Sequence, residues 1–411
     1  MKIDVIIIGI GRVGLPLGLS LSKNGVKCIG VDIDKYTIDS VNNKEMPFME
    51  KGYDEIIKDV DFKATSDYRL IAKASNIIIT VGTPLLQHIE IDLSYIKEVI
   101  NNIIPHLQKY QNIILRSTVA PETTAFIKKY IEKETEFKIG KDLYLSFCPE
   151  RIAEGKALKE LEQLPQIIGS EDDVSFKKAK DVFKNLTKEI FQVTYNEAEL
   201  VKLFCNVSRY MQFSTVNYLA IIAESYSCDI HKLLTIINTD YPRPIYGKVG
   251  ATAGTCLRKD WGMINEDIPY ADLLLSAYKI NEYIPRFLVK QTKLHIDTFE
   301  DKEVAILGYA FKKDCDDIRD SLSPKLVRYL EREVPKKIYI NDPHVTSKFE
   351  NDYANESVKK FIQTVDVVYL FINHEVYKKS FEKIYSMVKK DCLFIDLWNV
   401  SGRNKIFFRK G

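Results

Sequence analysis

The chain has 411 residues, with 59 Lys and Arg against 57 Asp and Glu and a formal net charge of +2. That length allows two or three domains with a sizeable core. The near-neutral balance gives no bulk electrostatic basis for a nucleic-acid partner. Basic clusters such as "FKKAKD" are interleaved with acids and read as solvated faces. Cys28, Cys148, Cys205, Cys228, Cys256, Cys315 and Cys392 are odd in number and scattered, with no CxxC pair. Such usage argues against a disulfide framework or a bound metal, and for a reducing compartment.

The opening "MKIDVIIIGIG" carries Lys2 and Asp4 and is too short and charged for a secretory leader, so it reads as a buried strand. No apolar run approaches the roughly 18 residues a spanning helix needs. No membrane is expected, and the cytoplasm is the expected location.

Directly after that strand, "IIIGIGRVG" sets Gly9, Gly11 and Gly14 before a helical pattern. The first glycine permits a tight turn, the second lets backbone approach a pyrophosphate, and the third lets helix pack on sheet. Val13 lies in the same turn. The next strand ends "GVDID", placing Asp32 about twenty residues on, where a carboxylate would accept from a ribose hydroxyl and repel a 2′-phosphate. NAD is therefore expected over NADP.

Further apolar runs, "SNIIITVG", "NIILRST" and "LYLSFCP", alternate with amphipathic stretches such as "LSYIKEVINNIIPHL". The alternation predicts a parallel sheet covered by helices on both faces. "TVGTP" and "RSTVAP" close two of these strands, where ligands bind in such sheets. Thr83 and Thr118 are thus candidate contacts, or else caps of the following helices. "FCPERIAEG" places Glu150, Arg151 and Glu154 just after another strand.

From residue 196 the texture becomes helical for some thirty residues, with Asn196 and Glu199 spaced as a capping box. A helix of that length would join domains, and its apolar face could meet a second subunit. Lys202 and Asn206 are one turn apart on it. "YPRPIYGKVG" then offers Arg243, and "AGTCLRKD" sets Cys256 among small and cationic residues that favour a thiolate and admit a substrate, with Asp260 four residues on. After residue 292, "EVAILGYAF", "KIYINDPHV", "VDVVYLFINHE" and "CLFIDLWNV" repeat the strand order of the first half. The turn "GYAFKKD" lacks the second and third glycines and should not hold a dinucleotide in the same way. The expected architecture is α/β: an N-terminal Rossmann domain (1–195), a central long-helix domain (196–292) and a C-terminal Rossmann-like α/β domain (293–411).

Lysine, thiol and carboxylates together can carry an alcohol to an acid. A lysine stabilises an oxyanion, a thiolate traps an aldehyde, and a carboxylate deprotonates the hydrolytic water. With "STVAPETT", "CPERIAEGKAL", "EAELVKLFCN", "CLRKD", "GYAFKKDCDDIRDS" and "NDPHV" in order, the chain resembles the UDP-glucose/UDP-N-acetylmannosamine 6-dehydrogenases. That resemblance implies Cys256 as nucleophile, Lys202 and Asn206 as the oxyanion-stabilising pair, and Asp260 and Thr118 holding the catalytic water. It implies acid/base work for Glu154 and a nicotinamide contact for Glu150. It gives Arg243 to the sugar nucleotide, often across a subunit boundary, and Lys312, Arg319 and Arg403 to the UDP-binding half.

The resemblance further implies two NAD per UDP-sugar, a homodimer through the central helix, and a UDP-uronate product for surface polysaccharides. "CPER" and "DDIRDS" favour a UDP-N-acetylhexosamine, and "CxxKD" favours UDP-glucose. The loop departs from the family pattern: Ala253 and Thr255 flank Gly254 where a glycine pair is usual, and Arg258 stands where glycine or proline is frequent. Two other readings are a two-electron 3-hydroxyacid dehydrogenase, and a catalytically silent sensor of NAD or sugar nucleotide.

Overall fold

The computed structural model describes residues 2–83, 92–243, 246–265, 272–346, 349 and 353–411. Pro84 and Pro244, which close two of the loops above, lie outside these. The chain divides into two compact units: Met1–Cys205 with Gly262–Asp267, and Asn206–Trp261 with Ile268–Gly411.

The first unit begins β1 (Ile3–Ile8), α1 (Gly14–Lys23), β2 (Cys28–Val31), α2 (Lys35–Asn42), α3 (Tyr53–Asp59), β3 (Lys63–Thr65) and β4 (Ala74–Ile79). It continues with α4 (Ser94–Ile103), β5 (Asn112–Leu115), α5 (Thr123–Glu134), β6 (Tyr144–Phe147), α6 (Ala157–Gln163), β7 (Gln166–Gly169), α7 (Asp173–Phe183) and β8 (Ile190–Val193). The strands form one sheet in the order β3-β2-β1-β4-β5-β6-β7-β8. The sheet is parallel except between β6 and β7, which pair antiparallel, so the all-parallel expectation fails at that join. β1 pairs with β2 on one side and β4 on the other, which puts the topological switch point at the glycine-rich turn. Val5 and Ile7 face one apolar layer with Leu15 and Leu17, while Ile6 and Ile8 face another with Ile96 and Ile100. Burial on both faces is why β1 is a continuous isoleucine-rich run rather than an alternating one.

α8 (Tyr195–Ser225) is a single helix of 31 residues, and the division between units falls within it. Its capping box is not Asn196 with Glu199. Thr194 and Glu197 make it: the Glu197 carboxylate accepts from the Thr194 amide and hydroxyl at 2.8 Å each. Glu199 is instead fully buried.

The second unit adds α9 (Ile230–Asn238), α10 (Thr255–Asn265) up to Trp261, α11 (Asp272–Ile296), β9 (Glu303–Leu307), α12 (Ser323–Glu331) and β10 (Lys337–Asn341). It ends with β11 (Val367–Leu370), α13 (Glu375–Met387), β12 (Leu393–Asp396) and β13 (Phe407–Arg409). The sheet order β10-β9-β11-β12-β13 reproduces the switch-point arrangement at β9, with β13 the one antiparallel edge. The architecture is the expected one, α/β with a helical centre. No helix among the described residues is long and apolar enough to cross a membrane.

Candidate active site

The dinucleotide turn is built by steric necessity at two of its glycines. Gly9 has φ +87°, in the left-handed region. A Cβ on Gly14 would lie 2.1 Å from the Gly9 carbonyl oxygen, so only glycine lets α1 sit this close to the turn. A Cβ on Gly11 would meet nothing within 4 Å, which leaves an open cradle in front of the helix. Val13 caps α1 without contributing a side-chain acceptor. Asp32 is fixed by the amide of Ile10 (2.8 Å) on one carboxylate oxygen and that of Asp34 (2.9 Å) on the other, and remains partly exposed. Cradle, helix N-terminus and anchored carboxylate fit an NAD with its ribose on Asp32.

Around the later strand ends, Thr83 is buried and donates to the Thr118 carbonyl at 2.6 Å, tying two strand ends together. Thr118 itself is partly exposed. Glu150 is paired with Arg116 and accepts the amides of Arg151 (2.7 Å) and Ile152 (2.9 Å). Arg116 also donates to the Cys148 carbonyl and to Gln166, at 3.0 Å each. Glu150 is therefore heavily committed to shaping its own loop. The partly buried Glu154 sits in a segment held by Glu50, which accepts the amides of Gly155 (2.8 Å) and Ala157 (3.0 Å). Glu199 accepts from the amides of Glu122 and Thr124 (2.8 Å each) and from the Thr124 hydroxyl (2.6 Å). Its burial pushes the carboxyl pKa up against those bonds. Lys202, one turn further along α8, is buried as well.

Sequence reasoning missed Glu50, Arg116 and Glu199 as supports. The available signal was a carboxylate among the apolar positions of α8, beside Ala198.

In the second unit, Cys256 is the second residue of α10 and is exposed. Helix N-termini favour a thiolate. One turn on, Asp260 is fully buried; Asn206 donates to one of its oxygens at 2.5 Å and Lys259 lies 3.2 Å from the other. The structure thus brings Asn206 of α8 to Asp260, which sits with Lys259 on α10, the helix that presents Cys256. The expected phosphate-binding cations are spread around the unit. Lys312 lies over Phe311, and Arg243 is exposed over Tyr241. Arg319 is exposed and paired with Asp317 at 2.7 Å. Arg403 lies 4.0 Å over the Tyr385 ring and 3.3 Å from Glu382.

A cavity of about 510 Å³ opens between α9, the loop at Tyr246–Lys248 and the segment after β12. His231 and Trp398 line it. Two amide braces hold its walls: Asn238 with the Tyr246 backbone, and Asn399 with Asn404. Burial pushes the His231 pKa down, keeping the ring neutral. Its Nε2 has no hydrogen-bond partner among the described residues.

Comparison with known proteins identifies the family. Residues 1–187 match the NAD binding domain of the UDP-glucose/GDP-mannose dehydrogenase family, residues 196–283 its central domain and residues 305–403 its UDP binding domain. A UDP-N-acetyl-D-mannosamine dehydrogenase of Methanococcus vannielii is 29% identical, over 97% of this chain and 93% of that protein. The structure of a UDP-D-ManNAc dehydrogenase from Pyrococcus horikoshii superposes with a TM-score of 0.88 at 26% identity, covering 97% of this chain and 96% of that one. The UDP-N-acetyl-mannosamine dehydrogenase of Staphylococcus aureus gives 0.84 at 27% identity, covering 97% and 95%. With all three domains matched in order, the chain belongs to the UDP-glucose/GDP-mannose dehydrogenase family and is an NAD-dependent nucleotide-sugar dehydrogenase.

Proposed function

We propose that the enzyme oxidises the C6 hydroxymethyl of a UDP-N-acetylhexosamine, UDP-N-acetylmannosamine in particular, through the aldehyde to the carboxylate. The observation that carries this reading is the exposed Cys256 in the first turn of α10, with a buried, doubly supported Asp260 one turn behind it. The named substrates of the full-length relatives support the choice of sugar.

Gly9, Gly11, Val13, Gly14 and Asp32 would hold NAD, which would supply the hydride acceptor for both oxidations. Glu154 takes the hydroxyl proton in the first oxidation. The Cys256 thiolate then adds to the aldehyde carbon, and Lys202 and Asn206 stabilise the resulting oxyanion. Collapse of that thiohemiacetal with loss of the second hydride leaves a thioester on Cys256. Asp260, aided by Thr118, takes a proton from water, which attacks the thioester carbon and returns the thiolate. The balance is one alcohol, one water and two oxidised cofactors giving one carboxylate, two reduced cofactors and three protons. Glu150 is assigned to the nicotinamide end, and Arg243, Lys312, Arg319 and Arg403 to the UDP-sugar.

The uridine end is assigned to the cavity lined by His231 and Trp398, whose volume lies in the range of small-molecule sites. Assembly is assigned to α8, which exposes Phe204, Tyr218 and Ile222 along its length as a face for a second copy.

The test is a panel of UDP- and GDP-hexoses with NADH counted per sugar. UDP-N-acetylmannosamine should yield two NADH, and Cys256→Ser should lose net oxidation. Two NADH at an undiminished rate from Cys256→Ser would remove the covalent step. Turnover of UDP-glucose alone would move the assignment to the glucose branch, a reading motivated by "CLRKD".

A further inference from the structure

We propose that Arg258 is a positioning residue that pins the first turn of α10, and with it Cys256, by clamping Asp320 and Glu282. The inference rests on the reading of Cys256 as nucleophile and extends it to a residue for which that reading has no role.

The contacts close on themselves. The Arg258 Nε lies 2.8 Å from Glu282 Oε1 on α11, and its Nη1 3.0 Å from the Asp320 carboxylate. The Asp320 carbonyl accepts the Gly254 amide at 3.1 Å, and the Gly254 carbonyl accepts the Arg258 amide at 3.3 Å. One guanidinium thus grips the residue whose backbone anchors the turn that starts its own helix. Lys325 on α12 neutralises the second oxygen of Glu282 at 2.8 Å, so two cations face two carboxylates. Glu282 and the Arg258 side chain are largely buried, which favours definite geometry over the averaging of a surface pair.

The turn is also fixed from its other side. Gly254 has φ +95°, and a Cβ there would stand 2.5 Å from the Phe311 ring. Ala253, the position where the resemblance leads one to expect a second glycine, is buried in the core instead. A loop with one glycine and a buried alanine is held by Arg258 on one side and Phe311 on the other. The departure at 258 therefore acts together with the departure at 253.

Asp320→Asn separates clamping from charge. Asp320 is about half exposed and sits at φ +53°, which asparagine adopts readily, so the variant should fold. Removing an anion near Cys256 would by electrostatics alone speed alkylation at neutral pH. Loss of the clamp frays the helix start and should slow it, by about threefold or more. The measurement is iodoacetamide alkylation at pH 7 resolved by peptide mass spectrometry, with exposed Cys228 as internal reference. Amide exchange of residues 250–258 is followed in Asp320→Asn and Arg258→Met, and should rise about tenfold in both while the rest of the chain is unchanged. Unaltered exchange in Asp320→Asn, or alkylation as fast as or faster than wild type, would overturn the proposal. A wild-type Cys256 no more reactive than Cys228 would instead remove the nucleophile reading, while exchange still decides the clamp.

Discussion

The molecule contains the same turn twice, with opposite fates. After β1 the turn is open in front of Gly11, and Asp32 at the end of β2 takes one amide from it, that of Ile10. After β9 the turn is closed. Gly308 is pressed against Ile372, where a Cβ would lie 2.4 Å from that side chain, and the amides of Tyr309 and Ala310 both donate to Asp342 at the end of β10. Asp342 also accepts the amides of His344 and Val345 and bonds His374 Nε2 at 3.0 Å. The other His374 nitrogen accepts the Asp314 amide at 2.9 Å. One carboxylate is left partly exposed; its counterpart is buried and consumed by its own domain. The two strand-turn-helix units therefore differ in how far the turn's amides and the following carboxylate are spent on each other.

The largest effect that tests this contrast is on stability. Asp342→Asn breaks a buried, hydrogen-bonded pair and should cost about 3–5 kcal/mol in urea unfolding, with NAD affinity unchanged by isothermal titration. A loss below about 1 kcal/mol would mean that the second turn does not depend on its carboxylate. Asp32→Asn should invert the pattern. NAD binding should weaken by about 1.5–3 kcal/mol, the NAD preference over NADP should narrow, and the melting temperature of the ligand-free chain should barely move. Equal stability losses in the two variants would erase the distinction.

A pH experiment sharpens the same point. Burial alone would raise the Asp342 carboxyl, but the bonds from His374 and from the Ala310 and Tyr309 amides outweigh it and bring the pKa from 3.8 down to about 2. A folded pKa below the unfolded one means stability that is present above about pH 4 and lost as pH falls towards 2. The depression corresponds to about 2 kcal/mol. Between pH 5 and pH 2 the unfolding free energy should fall by about 2 kcal/mol more in wild type than in Asp342→Asn, the other lowered carboxylates contributing equally to both.

How much of this was legible in the sequence depended on whether burial leaves a local pattern. The strands β1, β4, β5, β9, β11 and β12 were readable because burial on both faces favours near-unbroken apolar runs, and the edge strand β10 because its burial alternates. β3, with only Lys63–Thr65, carries too few residues to stand out, β8 is only partly buried, and the antiparallel β6–β7 join has no local signature. The long helix was readable, but its cap was misplaced by two residues. Thr194 with Glu197 and Asn196 with Glu199 share one spacing, and only tertiary burial assigns Glu199 to the start of α5. At the site, Cys256, Asp260 and the glycines announced themselves. The bond from Asn206 to Asp260 joins residues 54 positions apart, and no local period encodes it.

The smallest expected effect probes the open turn directly. Gly11→Ala adds a methyl that meets no protein atom within 4 Å, at a position without a positive φ. Folding should therefore shift by no more than about 0.5 kcal/mol in either direction. A more restricted unfolded chain would, if anything, stabilise it. The same methyl stands where the pyrophosphate must approach the backbone, so NAD affinity should fall about tenfold, equivalent to about 1.4 kcal/mol. Thermal unfolding with and without NAD separates the two terms, because only the ligand-dependent rise in melting temperature should shrink. If that rise survives intact, the space before Gly11 is not where the dinucleotide lies, and the open turn differs from the closed one in shape alone.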